Sequence, residues 1–301
     1  MKTKQGLSIL WAILAAALYA ISSPISKLLL AEIPPTLMAS LLYLGAGIGM
    51  SIIGLFRSKA GMIKDEMKLT KNEVPYTIGM VLLDIAAPIL LMLALASTTP
   101  ANVSLLNNFE IVATSIIAYL IYKETISKRL WFGISLITIA SIILSVEDIS
   151  SCSFSFGSLF VLLACVCWGF ENNFTRMLSV KDPLQVVIIK GFGSGIGSLI
   201  ISIILNETST NLFYIFGTLL LGFIAYGLSI YLYVYAQRSL GAARTSAYYA
   251  FSPFIGATLS FIIFLDLPSL SFMMALPIMI LGTYKASTIS QKYCSHTHTV
   301  K

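Results

Sequence analysis

Three carboxylic acids and one amine interrupt stretches that are otherwise uncharged: Asp84 in VLLDIAAP, Glu110 in NNFEIVAT, Glu171 in CWGFENNF and Lys190 in VVIIKGFG. Carboxylates in poorly hydrated surroundings can exchange protons, grip a cation, or pair with a buried amine. Asn107 and Thr114 lie three residues before and four residues after Glu110, so a helix would place all three on one face. Trp168, Glu171, Asn172 and Thr175 have the same relationship. Asp84 and Glu110 would also be the acid/base residues of an enzyme, but neither a nucleophile beside a base nor a metal-ligand cluster accompanies them.

The elements that hold these groups are apolar helices. Of the 301 residues, 57% are hydrophobic and 11% charged, with a mean hydropathy of +0.89, far from the roughly one-quarter charged composition of soluble domains. About 20 mostly apolar residues cross a bilayer, and the chain offers ten such stretches: 7–29, 36–56, 74–96, 101–122, 130–147, 156–178, 183–205, 212–237, 242–264 and 270–290. The fold class expected is therefore an all-α polytopic membrane protein.

Basic residues accumulate on the cytoplasmic side of membrane proteins. With the N-terminus inside, Lys27 alone of the 19 Lys and Arg falls outside and Lys190 lies within a span, which leaves 17 inside. Both termini are then cytoplasmic, including the tail 291–301. The net charge of +6 is a topology signal; nucleic-acid binding would need a basic face on a folded domain. The first apolar run reads as a retained span and not as a cleaved signal. Cys152, Cys165, Cys167 and Cys294 lack metal or redox spacing, and His296 and His298 belong to a solvated end. No metal and no cofactor are expected.

ALYAISSPISK (17–27) and VCWGFENNFTR (166–176) align at an offset of 149, which also carries Pro34 to Pro183. Further on the offset is 142, matching Ser104 to Ser246, Asn107 to Tyr249, Glu110 to Ser252 and Asp84 to Tyr226. Each half, 1–149 and 150–290, then holds five spans. Five is odd, so the second repeat is inverted, an arrangement that many secondary transporters use to place a substrate site at mid-membrane. Tyr19, Ser22, Ser23 and Ser26 form the first-span counterpart of the Glu171 stripe, and Pro24 frees a carbonyl there and bends the helix. Ser246, Tyr249, Ser252 and Gly256 mark the ninth span. These polar faces either line a wet cavity or join helices by hydrogen bonds.

GFGSGIG (191–197) lies inside a span with no preceding strand, so it is no phosphate loop; with Gly45 and Gly49 it permits close helix approach. The tyrosines of YGLSIYLYVY (226–235) serve packing, interface or cavity. Residues 179–182 are a short connection, which makes the sixth and seventh spans antiparallel neighbours. Glu171 and Lys190 lie seven residues from its two sides, each about 10 Å deep at 1.5 Å per residue, so they are expected to pair. Lys190 snorkelling to the surface is the alternative.

The pattern from Tyr19 to Lys27, its WGF-to-Arg echo from Trp168 to Arg176, and the run TSAYYAFSPFIGA (245–257) resemble EamA-type transporters of the drug/metabolite transporter superfamily. The resemblance covers nearly the whole chain. It implies ten transmembrane helices in two inverted five-helix repeats, and an inner-membrane carrier of the plasma membrane, often engaged in amino acid export. The family's acidic-proline pair in the fourth helix is Glu110-Ile111 here, with Ser252-Pro253 in the ninth. Its acidic residue ending the fourth helix is Glu124, and Asp266 stands at the matching end of the ninth.

The function expected is secondary transport of small zwitterionic or cationic metabolites by alternating access, with proton coupling through Glu110 and Asp84. An intramembrane enzyme and a non-transporting scaffold are the alternatives. Tyr19, Ser22, Ser23, Asn107, Glu110, Thr114, Trp168, Glu171, Asn172, Tyr249 and Ser252 are the expected substrate-binding residues. The expected partners are a small-molecule substrate and the lipid bilayer, with a homodimer as an option and no nucleic acid.

Overall fold

The structure is a computed structural model, and it describes residues 2–59, 68–123, 126–148, 153–178, 181–240 and 248–287. Glu124, Cys152, Ser246 and the tail 291–301 lie outside these. Among the described residues the chain is helical apart from a short antiparallel pairing of Val146–Asp148 with Ser153–Phe154. Eight helical stretches are long and apolar enough to cross a membrane, and two shorter apolar helices, Ser252–Phe264 and Leu270–Ala286, complete the bundle.

Several stretches bend where local chemistry removes a backbone bond. The first divides into α1 (Lys2–Ala20) and α2 (Ser22–Leu29). Pro24 has no N–H to offer the Ala20 carbonyl four residues earlier, and the helix turns at Ile21. Next come α3 (Pro35–Lys59) and α4 (Val74–Ser97), the latter with Pro88 inside it, one turn beyond Asp84. The fourth stretch divides into α5 (Pro100–Leu106) and α6 (Phe109–Leu120). It breaks without a proline: the Asn108 side chain donates 3.1 Å to the Leu105 carbonyl, and the backbone passes through i→i−3 bonds at Glu110 and Ile111. The helix thus breaks beside Glu110-Ile111 although the family's proline is absent there, because a carboxamide competes for the backbone carbonyl.

Next come α7 (Lys128–Ser145), α8 (Phe156–Leu178), α9 (Pro183–Ile204) and α10 (Leu212–Leu221). A π-helical segment, Gly222–Leu228, leads into α11 (Ser229–Leu240). After turn residues Ala250 and Phe251 come α12 (Ser252–Phe264) and α13 (Leu270–Ser287). Within its described part the expected span 242–264 is helical at Tyr248 and Tyr249, turns at Ala250 and Phe251, and is helical again from Ser252 onward.

The largest helix contacts join α3 with α9, α4 with α8, α7 with α13, α1 with α11, α3 with the π-helical segment, α6 with α8, and α5 with α12. Small residues permit the first of these. A Cβ on Gly191 would lie 2.5 Å from the Gly47 nitrogen, so α3 and α9 meet backbone to backbone, and the Ser40 hydroxyl donates 2.8 Å to the Gly195 carbonyl beside that contact. Both ends of the pair are tied. Glu207 accepts from the Thr36 amide at 2.7 Å, while Arg57 pairs with Asp182 at 2.8 Å. Asp182 also caps α9 by accepting from Leu184 N at 3.1 Å; such caps contribute about 1 kcal/mol. The α3–α9 pair is consequently a stiff spine to which the other helices attach.

One neighbour relationship differs from expectation. α8 and α9 barely touch, and α4 packs against both. The four-residue connection fixes where the two helices start and end but not what packs between them. The other side of the gap opens as a narrow cleft of about 20 Å³ against α11.

Candidate functional site

Lys190 sits on the stiff spine, one residue before the Gly47–Gly191 contact, so its position is fixed by backbone packing. Its ammonium is 3.0 Å from Asp84 Oδ2 on α4 and 3.0 Å from Glu171 Oε1 on α8. All three residues are at least nine-tenths buried. Tyr43 on α3 donates 3.0 Å to Asp84 Oδ1, and the Thr175 hydroxyl donates to Glu171 Oε1. With both acids ionised, two carboxylates and one ammonium would leave this group with one surplus negative charge. Removing such charges from water is expensive, and close pairing with further hydrogen bonds offsets much of that cost.

A second polar group lies on the neighbouring face of α8. Asn172 Nδ2 donates 2.6 Å to Glu110 Oε1 and 3.2 Å to the Thr114 hydroxyl. Asn173 donates to the carbonyls of Thr114 at 3.3 Å and Gly169 at 2.8 Å. Glu110 stands in the first turn of α6, directly after the break. Among the described residues no basic side chain forms an ion pair with it.

A third group is aromatic. Tyr19 stacks edgewise on Tyr226 at 5.8 Å and lies 5.7 Å from Tyr249, whose ring meets Tyr233 at 4.9 Å. Tyr226 continues the chain to Tyr43 at 5.3 Å. Ser22 donates 3.3 Å to the Tyr226 hydroxyl, and the hydroxyls of Ser229 and Tyr249 are 3.5 Å apart.

The expected stripe on α8 therefore separates into two faces. Successive helical residues point about 100° apart (3.6 per turn), so Glu171 and Thr175 turn toward α4 and α9 while Asn172 and Asn173 turn toward α6. Trp168 belongs to neither group; it is buried in the hydrophobic core. Asn107 is buried at the α5–α6 break, with its side-chain oxygen 4.0 Å from the Cys165 thiol. Ser23 and Ser252 are buried, and the Ser252 hydroxyl has no hydrogen-bond partner among the described residues. Asp266 lines a separate pocket at the other end of the bundle, with Thr99, Asn102, Phe264 and Ser269.

Sequence reasoning missed one member of the site and the pairing of another. Tyr43, in the apolar run SLLYLGAG (40–47), gave no signal beyond its hydroxyl. Asp84 was singled out for its charge, but not as a partner of Lys190, because nothing in the spacing of residues 84 and 190 relates α4 to α9. The clue available for both was the cost of burying Lys190 against a single acid in a chain that offers two more.

The model of the EamA-like transporter family matches residues 6–146 and again 155–288. An uncharacterized transporter of Methanothermobacter thermautotrophicus is 27% identical over 270 residues, covering 83% of this chain and 77% of that protein. The uncharacterized transporter YyaM of Bacillus subtilis is 24% identical over 211 residues, covering 64% and 67%. A solved structure described as a crystal structure of protein superposes with a TM-score of 0.68 at 16% identity, over 96% of this chain and 98% of that one; this likeness concerns the fold alone.

Proposed function

The chain belongs to the EamA-like transporter family and is a multi-pass membrane transporter, and from that premise we propose that it is a secondary carrier of small cationic or zwitterionic metabolites. The observation that carries the substrate class is Glu110. It is a carboxylate held by an amide donor, with no ion-pair partner among the described residues. A substrate ammonium would supply the missing charge, and tyrosine faces favour cations by roughly 0.5–2 kcal/mol. The surplus negative charge at Lys190 adds to the same preference.

Alternating access in two inverted repeats is the mechanism proposed. It is supported by the contact pattern under exchange of each span with its counterpart five spans later. The α4–α8 pair then becomes α1–α11, whereas α3–α9, α5–α12 and α7–α13 map onto themselves. With the termini cytoplasmic, Arg57 and Asp182 mark the inner end and Lys27 the outer end, where its ammonium donates to the carbonyls of Leu95 and Thr98. Movement of α4–α8 and α1–α11 against the stiff α3–α9 spine would open the polar centre to one side and then the other. Protons or substrates compete for the buried carboxylates and supply the coupling, since no nucleotide motif is present in the sequence.

Exchange assays test this reading. Purified protein in sealed liposomes is screened with labelled amino acids and amines against an unlabelled internal pool. Unaltered label should accumulate transiently for a cation or zwitterion; failure of every such compound alongside exchange of an anion would overturn the substrate class.

A further inference from the structure

A pocket of about 80 Å³ lies at the Lys27 end of the bundle, between the starts of α5 and α13 and the end of α12. Leu265 takes a left-handed conformation (φ 55°) that ends α12, and the next residue, Asp266, stands in the pocket wall. Asp266 forms no ion pair among the described residues. Lys27, a basic residue at this end, is held instead by the carbonyls of Leu95 and Thr98. Phe261, Phe264 and Phe272 make an apolar wall, with the rings of Phe261 and Phe272 edge to face at 4.9 Å. The hydroxyls of Thr99 and Ser269 accept from the amides of Asn102 at 3.3 Å and Phe272 at 3.1 Å, so each keeps its own O–H to donate.

We propose that this pocket binds the primary ammonium group of a small organic molecule, as a site separate from Glu110. Asp266 supplies the opposite charge, and phenylalanine faces attract an ammonium through their ring electrons. The volume corresponds to roughly two or three waters at ~30 Å³ each, which is room for an ammonium group and a short alkyl stem. One carboxylate beside three rings is a poor place for Ca²⁺ or Mg²⁺, which surround themselves with six or more oxygens. An anion would be repelled by Asp266.

Small and hydroxylic residues lead inward from this pocket. Ser260 in its wall donates 2.9 Å to the Gly256 carbonyl. Ser252, Gly256 and Ser260 recur every four residues and therefore share one face of α12 over about 12 Å. On the adjoining helix α5, the Ser104 hydroxyl oxygen would lie 2.9 Å from a Cβ on Gly256. The hydroxyls of Ser104 and Ser252 are buried and have no hydrogen-bond partner among the described residues. Hydrogen-bonding capacity thus extends from the pocket along the α5–α12 interface, which makes the pocket the receiving site for the carried molecule at that end. This role rests on the carrier reading; the binding of the ammonium does not.

Saturation-transfer nuclear magnetic resonance tests the site with ethylammonium as the probe and ethanol as its uncharged counterpart. The purified protein, deuterated except at phenylalanine, is held in lipid nanodiscs and irradiated at its ring protons. Ethylammonium should receive saturation and ethanol should not. Affinity should fall about fivefold in Asp266→Asn, the scale of an exposed charge pair, and persist in Asp266→Glu and in Glu110→Gln. Equal affinity in Asp266→Asn, loss of the signal in Glu110→Gln, or an equal signal from ethanol would overturn the pocket. Should Asp266→Asn fail to fold, Phe264→Leu replaces it: the transfer should drop with the missing ring, and an undiminished signal would overturn the site. Counterflow that fails for every amine while this signal persists would remove the carrier reading and leave the pocket standing.

Discussion

The Lys190 ammonium lies 3.0 Å from the Asp84 carboxylate, so α9 is tied by charge to α4 as well as to α8. This makes the two partners of the expected Glu171–Lys190 pair unequal. Glu171→Gln leaves Lys190 balanced by Asp84 and should cost about 1 kcal/mol, the worth of a hydrogen bond. Lys190→Met leaves two buried acids with no cation and should cost about 3–5 kcal/mol. Folded yield after detergent extraction, followed by fluorescence-detected size exclusion, checks the order. Equal losses would mean that Asp84 does not share the ammonium.

The spine should tolerate no added atoms at its closest point. Gly191→Ala places a methyl 2.5 Å from the Gly47 nitrogen, whereas Gly54→Ala on the same pair meets its nearest side-chain atom at 3.5 Å. Overpacking of this kind costs about 1–3 kcal/mol, so the first variant should melt at a lower temperature than the second. Matching melting temperatures would show that α3 and α9 can part without penalty.

These two sites show how unevenly the sequence discloses the structure. Composition located the spans, since a run of apolar residues reads the same in any helical bundle. Glu171 and Lys190 could be placed at one depth because only residues 179–182 separate their helices. The contacts of α4 were invisible, because no short connection relates residue 84 to residue 171 or 190. The break at Asn107–Asn108 was equally hidden: it depends on a side-chain bond to the Leu105 carbonyl, and hydropathy does not register the competition between carboxamide and backbone. Gly222–Leu228 read as plain helix, yet it winds more loosely where Gly222 meets the α3 backbone at Leu42.

The orientation is open to a direct check. In a cysteine-free background, Ser97→Cys at the Lys27 end of α4 should react with an impermeant maleimide in intact cells. Lys71→Cys, at the opposite end of the same helix and exposed, should react only after the membrane is opened. The reverse pattern would invert every assignment of inner and outer sides.

Glu110→Gln should abolish accumulation of substrate against its gradient, because the variant can neither release a proton nor offer a full charge to an ammonium. Some downhill exchange should persist, at a higher KM, since an amide still accepts a hydrogen bond from the substrate. The imposed pH gradient is the variable to scan. A variant that concentrates substrate as well as the native protein does would remove Glu110 from the coupling step.

Counterflow bears most directly on the claim that this is a secondary carrier. Liposomes holding the purified protein are loaded with a high concentration of one unlabelled amine or amino acid, and a trace of the same compound, labelled, is added outside without nucleotide. A carrier with alternating exposure produces a transient excess of label inside, chemically unchanged, that is absent from protein-free liposomes. Label that enters only with nucleotide, or that emerges chemically altered, would contradict the account.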